Sequence, residues 1–411
     1  MNREKAMQSI ADWIVQSAMT DLNLDDFFVE FCERVANIGI PLYRLQMALS
    51  ILHPTMAAKS LTWRKGVGIS IDSHAHSTVE TDQWLQSPMR AVLENNLPEI
   101  RQSLEVPDDE LAFPILNDLK AEGATDYYMF PVTFDSGKFH FHQVAYDRNR
   151  RDGMIISWAS DTPGGFNADD IAAINRLTSR LSIVVKLWVR EQISLNVASA
   201  YMGPQVGKRV LDGQIRRGDV ELIHAVIWYT DLRHSTDMAD TLPLDQVMEA
   251  LDRYFDCTAG AVIDNGGQVL RFIGDAVLAI FPFQKGSTIE TQNAHINAYR
   301  AALDAFERMK DVNKERAKGG VDELSFGLGL HTGELLFGNI GVPERVEFSV
   351  IGGTANEVAR IEGMTKELAV PALFTQSFTD HLADVDWQTQ GSFNLRGVKA
   401  SKTLFSTPEL G

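Results

Sequence analysis

Between Gly266 and Phe283 the chain reads Gly-Gly-Gln-Val-Leu-Arg-Phe-Ile-Gly-Asp-Ala-Val-Leu-Ala-Ile-Phe-Pro-Phe. Two runs rich in Val, Ile, Leu and Phe flank the dipeptide Gly274-Asp275, which predicts a β-hairpin whose turn uses the backbone freedom of glycine. A carboxylate at the tip of so apolar a ribbon has no packing role. It stands where a sheet edge meets solvent, and there it can hold a hard cation if a second carboxylate joins it.

The flanking elements supply that partner. His224 to Tyr229 is a buried-type strand that ends in Thr230-Asp231-Leu232-Arg233-His234-Ser235-Thr236. A helix from Pro243 to Asp264 precedes the hairpin, a helix from Glu290 to Lys314 follows it, and a strand at Leu324 to Leu330 closes the series. The order is β-α-β-β-α-β, the ferredoxin-like split unit. A right-handed crossover makes the first two strands parallel, with the third antiparallel between them. The end of the first strand and the hairpin turn then share one sheet edge, which brings Asp231 beside Asp275. Two facing carboxylates suit Mg²⁺, which takes few protein ligands and completes its shell with water and phosphate oxygens. Either aspartate alone reads as a turn residue; the pair reads as a site.

At 411 residues the chain is long for one domain, and two are expected. Its first half predicts an α+β domain with an antiparallel sheet. Helical spacing runs from Ala6 to Ile38, strands follow at Tyr43 to Leu52 and Ala58 to Trp63, and helices at Ser87-Pro88 to Asn95 and Leu111 to Glu122. Further strands are expected at Asp126 to Thr133, Lys138 to Tyr146 and Gly153 to Ala159. In element order, and in its position before an output domain, this half resembles the GAF family of small-molecule sensor domains. Two His-x-His pairs, His74/His76 and His140/His142, would each place two imidazoles on one strand face. They form a metal site or, with no acid or Cys ligand nearby in sequence, plain polar sheet positions.

Asn167 then caps a long helix, with Asp169 and Asp170 in its first turn. Ile174, Leu177, Leu181, Val184, Trp188 and Leu195 follow the three-four spacing of a heptad seam that Glu191 interrupts. Over its first half this seam reads equally as a helix packed on its own domain; over its later part it reads as a parallel two-chain contact. Gly203-Pro204 ends the helix. The expected divisions are therefore 1–166 for the sensor-like domain, 167–215 for the connecting helix and linker, and 216–411 for the output domain.

The formal net charge of −17 argues against nucleic acid or an anionic membrane as the main partner. It allows a single nucleotide, whose phosphates a metal and a few cations can neutralise. Cys32 and Cys257 suggest no disulfide framework. The chain shows no signal-peptide stretch and no run of about 18 apolar residues, as a membrane span needs. A soluble cytoplasmic protein is expected.

From Glu221 to Phe405 the chain resembles the class III nucleotidyl cyclases. Tyr229 to Thr236 looks like the first metal-aspartate motif, with His234-Ser235 in place of the more usual Gly-Phe, and Leu270 to Val277 looks like the second. Gly329-Leu330-His331-Thr332-Gly333-Glu334 followed by Gly338-Asn339-Ile340-Gly341 is a Gly-rich stretch typical of the family. Glu347 to Arg360 resembles the motif that reads the base and stabilises the transition state. The resemblance implies that Asp231 and Asp275 bind two Mg²⁺ per site, with Mn²⁺ as an alternative and the Leu232 carbonyl as a further ligand. It implies that Asn356 orients the ribose, that Arg360, on the same helix face, stabilises charge on the α-phosphate, and that Arg396 meets the terminal phosphates.

Base selection falls to Arg271 and Ser349, where adenylate-specific members usually carry Lys with Asp, Thr or Ser, and guanylate-specific members Glu with Cys or a similar residue. Arg271 donates only, which suits adenine N1, and Ser349 can accept from the adenine amino group. The expected reaction is attack of the ribose 3′-oxygen of ATP on the α-phosphorus, giving cyclic AMP and pyrophosphate. The family draws the aspartates from one chain and the remaining groups from another, so a homodimer with shared sites is implied. The seam through Leu181, Val184 and Trp188 would help hold it, and an unknown ligand of the N-terminal domain would control it through the connecting helix. The alternatives are a guanylate cyclase and a catalytically silent nucleotide-binding or dimerisation module. A diguanylate cyclase does not fit, because Gly352-Gly353-Thr354 lacks its acidic pair.

Overall fold

The computed structural model describes residues 3–50, 56–75, 81–134, 153–398 and 400–410. They form two compact units, Met1–Ala200 and Tyr201–Gly411. The strand expected at Lys138 to Tyr146, and the residues His76, His140 and His142, lie outside the described residues. His74 is described, and its Nε2 lies 3.0 Å from the Ser60 hydroxyl of the neighbouring strand.

In the first unit, helices α1 (Arg3–Ser17) and α2 (Leu24–Asn37) precede strands β1 (Arg44–Ser50), β2 (Met56–Arg64) and β3 (Gly68–Ala75). Helices α3 (Asp82–Leu85) and α4 (Pro88–Glu94), strand β4 (Ile100–Ser103), helix α5 (Pro114–Ala121) and strands β5 (Asp126–Thr133) and β6 (Gly153–Ser160) complete the sheet, which helix α6 (Ala168–Met202) follows. The strands run in the order β3-β2-β1-β6-β5-β4, with antiparallel neighbours throughout. Local chemistry starts the helices. Asn23 accepts from the Asp25 and Asp26 N–H groups at 2.9 and 3.2 Å, and Asn167 and Asp170 cap each other's backbone at 2.9 and 3.0 Å, a reciprocal capping box.

Strands β5 and β6 are buried on both faces. Tyr128, Phe130, Ile156 and Trp158 point into the core shared with α1, α2 and α6, while Tyr127, Met129 and Ile155 point into the one under α4 and α5. Leu181 and Val184 are 0% and 1% exposed in that first core, and Trp188 packs against it. This corrects the seam expected for a dimer: the three-four spacing marks a face that α6 buries in its own unit. The large apolar residues α6 leaves exposed are Ile183, Leu187, Val197 and Tyr201.

The second unit opens with α7 (Pro204–Leu211), then β7 (Val220–Leu232), α8 (Ser235–Thr241), α9 (Leu244–Asp264), β8 (Gln268–Ile273), β9 (Ala276–Phe283) and α10 (Thr288–Lys318). It continues through β10 (Phe326–Val342), β11 (Arg345–Ile351), α11 (Gly353–Glu367), β12 (Ala372–Thr375), α12 (Gln376–Thr379), β13 (Gln388–Phe393) and β14 (Lys402–Ser406). The sheet order is β13-β14-β12-β10-β7-β9-β8, and β11 pairs with the far part of β10. β9 lies between β7 and β8 and is antiparallel to both, so β7 and β8 run the same way. The Gly-rich stretch is strand: β10 runs well past the expected end at Leu330. One sheet face packs on α9 and α10 through Val226, Trp228, Val277 and Ala279. The alternate residues Ala225, Ile227, Leu278 and Ile280 pack with Val206 of α7 and Val358 of α11, the period of two expected of a strand buried on both faces. No helix among the described residues is long and apolar enough to cross a membrane.

Candidate active site

The hairpin forms as its sequence requires, with Gly274 at φ +64° in the turn. Asp231, at the end of β7, is in register with Ala276, so Asp275 stands beside it. The Leu232 N–H donates to the Asp275 carbonyl at 3.4 Å. Burial first, and then the charge of Asp275, push the Asp231 carboxyl above its ordinary range, while Lys366 pulls it back. Lys366 Nζ lies 3.4 Å from Asp231 Oδ2. Two hard oxygen donors in mutual repulsion, with one partly exposed cation near them, are a donor set that a divalent ion suits. The Leu232 side chain is buried in the core, so only its backbone carbonyl could join them.

Behind the aspartates, Arg233 Nη1 meets Glu362 Oε1 at 3.1 Å, with side chains only 13% and 4% exposed. Burial pushes the Glu362 carboxyl up to about 7 against the pull of Arg233. Gly327 of β10 makes the room: a Cβ there would overlap both the guanidinium and the carboxylate. Two residues on, a Cβ at Gly329 would stand 2.8 Å from the Val358 carbonyl and 2.9 Å from the Glu362 N–H nitrogen. Helix α11 therefore lies directly on the backbone of β10.

The first half of α11 carries Asn356, exposed, and Arg360, half-buried. The turn that bears Arg396 comes up against Arg360. Gly397 has φ +75°, and a Cβ on it would stand 2.9 Å from Arg360 Nη1. Arg396, exposed, is the chain neighbour of this glycine. Among the described residues, no hydrogen bond or ion pair engages the side chains of Asn356, Arg360 or Arg396, and none joins them to the aspartates.

Arg271 and Ser349 sit on β8 and β11. Ser349 is 7% exposed and pairs with Gly338. Arg271 forms an ion pair with Glu347, which shares a strand face with Ser349. Glu347 thus contacts one base-reading candidate and lies on the same face as the other, a placement the motif alone does not disclose. Alternation from Ser349 would have found its face but not its partner. Lys366 was also missed, because only the path of α11 past the end of β7 brings it to Asp231. Among the described residues no group of three or more His, Cys, Asp or Glu could hold a metal; the aspartates are a pair.

The family model described as "Adenylate and Guanylate cyclase catalytic domain" matches residues 221–407. The adenylate cyclase of Anabaena cylindrica is 31% identical over 175 residues, 43% of this chain and 33% of that protein. Adenylate cyclase 1 of Rhizobium meliloti (strain 1021) is 28% identical over 178 residues, 43% of this chain and 26% of that protein. The chain thus matches a third or less of the length of these relatives. The crystal structure of the adenylyl cyclase CyaB from P. aeruginosa superposes with a TM-score of 0.41 at 20% identity, covering 47% of this chain and 100% of that one. With the ordered motifs from Asp231 to Arg360, the match places residues 221–407 in the adenylate and guanylate cyclase catalytic-domain family.

Proposed function

We propose that the chain is an adenylate cyclase that converts ATP to 3′,5′-cyclic AMP and pyrophosphate at sites shared between two copies. The observation that carries this reading is the pair Asp231 and Asp275 at one sheet edge, with Asp231 raised by burial and then by its neighbour's charge. Asp231, Asp275 and the Leu232 carbonyl would hold two Mg²⁺, or Mn²⁺, which when bound lower the cost of deprotonating the ribose 3′-hydroxyl and neutralise the leaving pyrophosphate. Asn356 orients the ribose. Arg360 offers its fixed fork of donors to the charge that builds on the α-phosphate, and Arg396 meets the terminal phosphates. The absence of any tie, among the described residues, between these unengaged side chains and the aspartates fits a site that a second copy completes.

Arg271 donates to adenine N1 and Ser349 accepts from the amino group. The strand order β10-β7-β9-β8 supports the ferredoxin-like split unit as the frame of this site. Residues 1–166 serve as a GAF-like regulatory domain for an unidentified ligand, residues 167–215 transmit its state, and residues 216–411 catalyse; the protein works in the cytoplasm.

One observation favours a second reading, a guanylate cyclase. Glu347 places a carboxylate beside Arg271, and a carboxylate accepts from guanine N1–H and its amino group as no arginine can. Purified protein given ATP or GTP with Mg²⁺, with both cyclic products assayed, separates the two. Cyclic AMP as the main product supports the adenylate reading, preference for GTP overturns it, and undiminished product from Asp275→Ala would overturn the metal-assisted mechanism.

A further inference from the structure

We propose that His331 is a positioning residue: through Glu357 it fixes the rotation of α11, and so where Asn356 and Arg360 stand. This rests on the cyclase reading above. His331 lies on β10 and is 4% exposed. Its Nε2 is 3.1 Å from Glu357 Oε2, and Lys402 Nζ, from β14, is 2.9 Å from the same oxygen. On the other side of the ring, Nδ1 is 2.9 Å from the Thr375 hydroxyl and 3.3 Å from that of Ser377. Ser377 is itself anchored on the Thr332 carbonyl at 3.2 Å.

The hydrogen-bond arithmetic orients the ring. A neutral imidazole donates from one nitrogen and accepts at the other. Hydroxyls can donate to Nδ1, which leaves the proton on Nε2, where the Glu357 carboxylate accepts it. Burial, aided by the charge of Lys402, holds the imidazole neutral, with its pKa down to about 4 despite Glu357. The chain of contacts therefore runs from β12 and α12 through the ring into α11, and from β14 into the same carboxylate.

Glu357 directly follows Asn356 and lies three positions before Arg360. At 3.6 residues per turn, a helix held at Glu357 cannot roll without swinging both neighbours. Thr354 ties the preceding turn, its hydroxyl donating to the Glu334 carbonyl at 2.6 Å. Two tethers on successive turns fix the azimuth. A carboxylate, an ammonium and an imidazole taken largely out of water are a poor way to gain stability, since apolar residues of similar volume often do as well or better. What such a network supplies is one defined geometry, and the residues it defines are the two that touch the ribose and the α-phosphate.

Three variants test this in the full chain. Glu357→Ala is expected to lower kcat about ten- to a hundredfold, because small misplacements of positioned groups cost that much. KM for ATP should stay within about twofold, since base contacts lie elsewhere. Glu357→Gln keeps an oxygen for Nε2–H and should recover kcat to within about threefold of the parent. Hydrogen exchange followed by mass spectrometry should quicken in peptides of α11 for Glu357→Ala and stay unchanged in α10. Unchanged kcat in Glu357→Ala, no rescue by Gln, or exchange that quickens equally in α10 would each overturn the proposal. If Glu357→Ala does not fold, Thr375→Val, which withdraws only the hydroxyl behind the ring, replaces it: reduced kcat at constant KM supports the tether, and parental kcat sinks it. If the parent chain makes no cyclic nucleotide from ATP or GTP, the cyclase reading has failed, and exchange in α11 alone decides whether the tether exists.

Discussion

The two units treat their inward-facing aspartates in opposite ways. In the first, Asp126 is 3% exposed yet fully served: Arg101 Nη2 lies 3.0 Å away and the Phe166 N–H donates at 3.0 Å. Asp170 is likewise paired with Arg3 and bonded to the Asn167 N–H. In the second unit Asp231 is raised above its ordinary range by burial and then by the charge of Asp275, with the exposed Lys366 3.4 Å away. The first unit's acids are surrounded by donors, whereas Asp231 meets a second carboxylate and an exposed lysine, the arrangement the proposed metal site calls for. The contrast is what the proposed metal-holding role of Asp231 predicts.

The sharpest way to break the contrast is to remove the charges. Asp231→Ala and Asp275→Ala should each lower cyclic nucleotide formation on the order of 10³-fold, as loss of a main electrostatic element does. Their thermal midpoints should hold or rise, because like-charge repulsion is relieved. A fall in midpoint would move Asp231 into the structural class. Titration probes the same distinction in histidines. Burial brings His295 and His331 down to about 4 from an ordinary 6.5, so between those values the unfolded chain binds more protons than the native one. Stability is then full above pH 6.5 and is lost as pH falls towards 4, by up to about 3 kcal/mol per histidine. Urea midpoints at pH 7 and pH 5 should differ accordingly. His295, held between the Thr291 carbonyl at 2.7 Å and the Thr332 hydroxyl at 2.9 Å, should flatten the slope when changed to Gln.

Smaller effects refine the picture. Asp126→Ala should cost about 2 kcal/mol, because it strands a buried N–H and a guanidinium, and urea unfolding of residues 1–200 reads it; a neutral result would mean that the first unit's acids are not structural either. Gly397→Ala should cost about 1 kcal/mol for its left-handed φ and lower kcat more than it raises KM, since the new Cβ crowds Arg360. Glu347→Ala, which removes a half-exposed ion pair, should shift the ATP-to-GTP ratio of kcat/KM only about threefold.

What the sequence disclosed follows from what is local. The hairpin, its glycine turn and the meeting of Asp231 with Asp275 came from alternation and crossover handedness, which strands obey whatever surrounds them. Strand β3 is foreshadowed only by the strand face expected at His74, because Gly-Ile-Ser-Ile-Asp-Ser-His-Ala is a polar edge strand with little apolar signal. Leu181 and Val184 were rightly seen as one buried face, but spacing says only that a face is covered, not whether a second chain or the same one covers it. Lys366 and Glu347 lay beyond reach for a related reason: each matters through the path of another element, α11 past β7 and β11 beside β8, and no pattern in the residues themselves records it.

The seat of α11 on β10 has an evolutionary corollary. At Gly329 the helix meets bare backbone, and the atoms a Cβ would strike are a carbonyl oxygen and an amide nitrogen, which no substitution on the helix can trim. Change at this seam is therefore one-sided. The helix can be re-lettered around the strand, but the strand cannot be re-lettered around the helix, so drift in such a domain should concentrate on α11's outward positions and stop at this glycine.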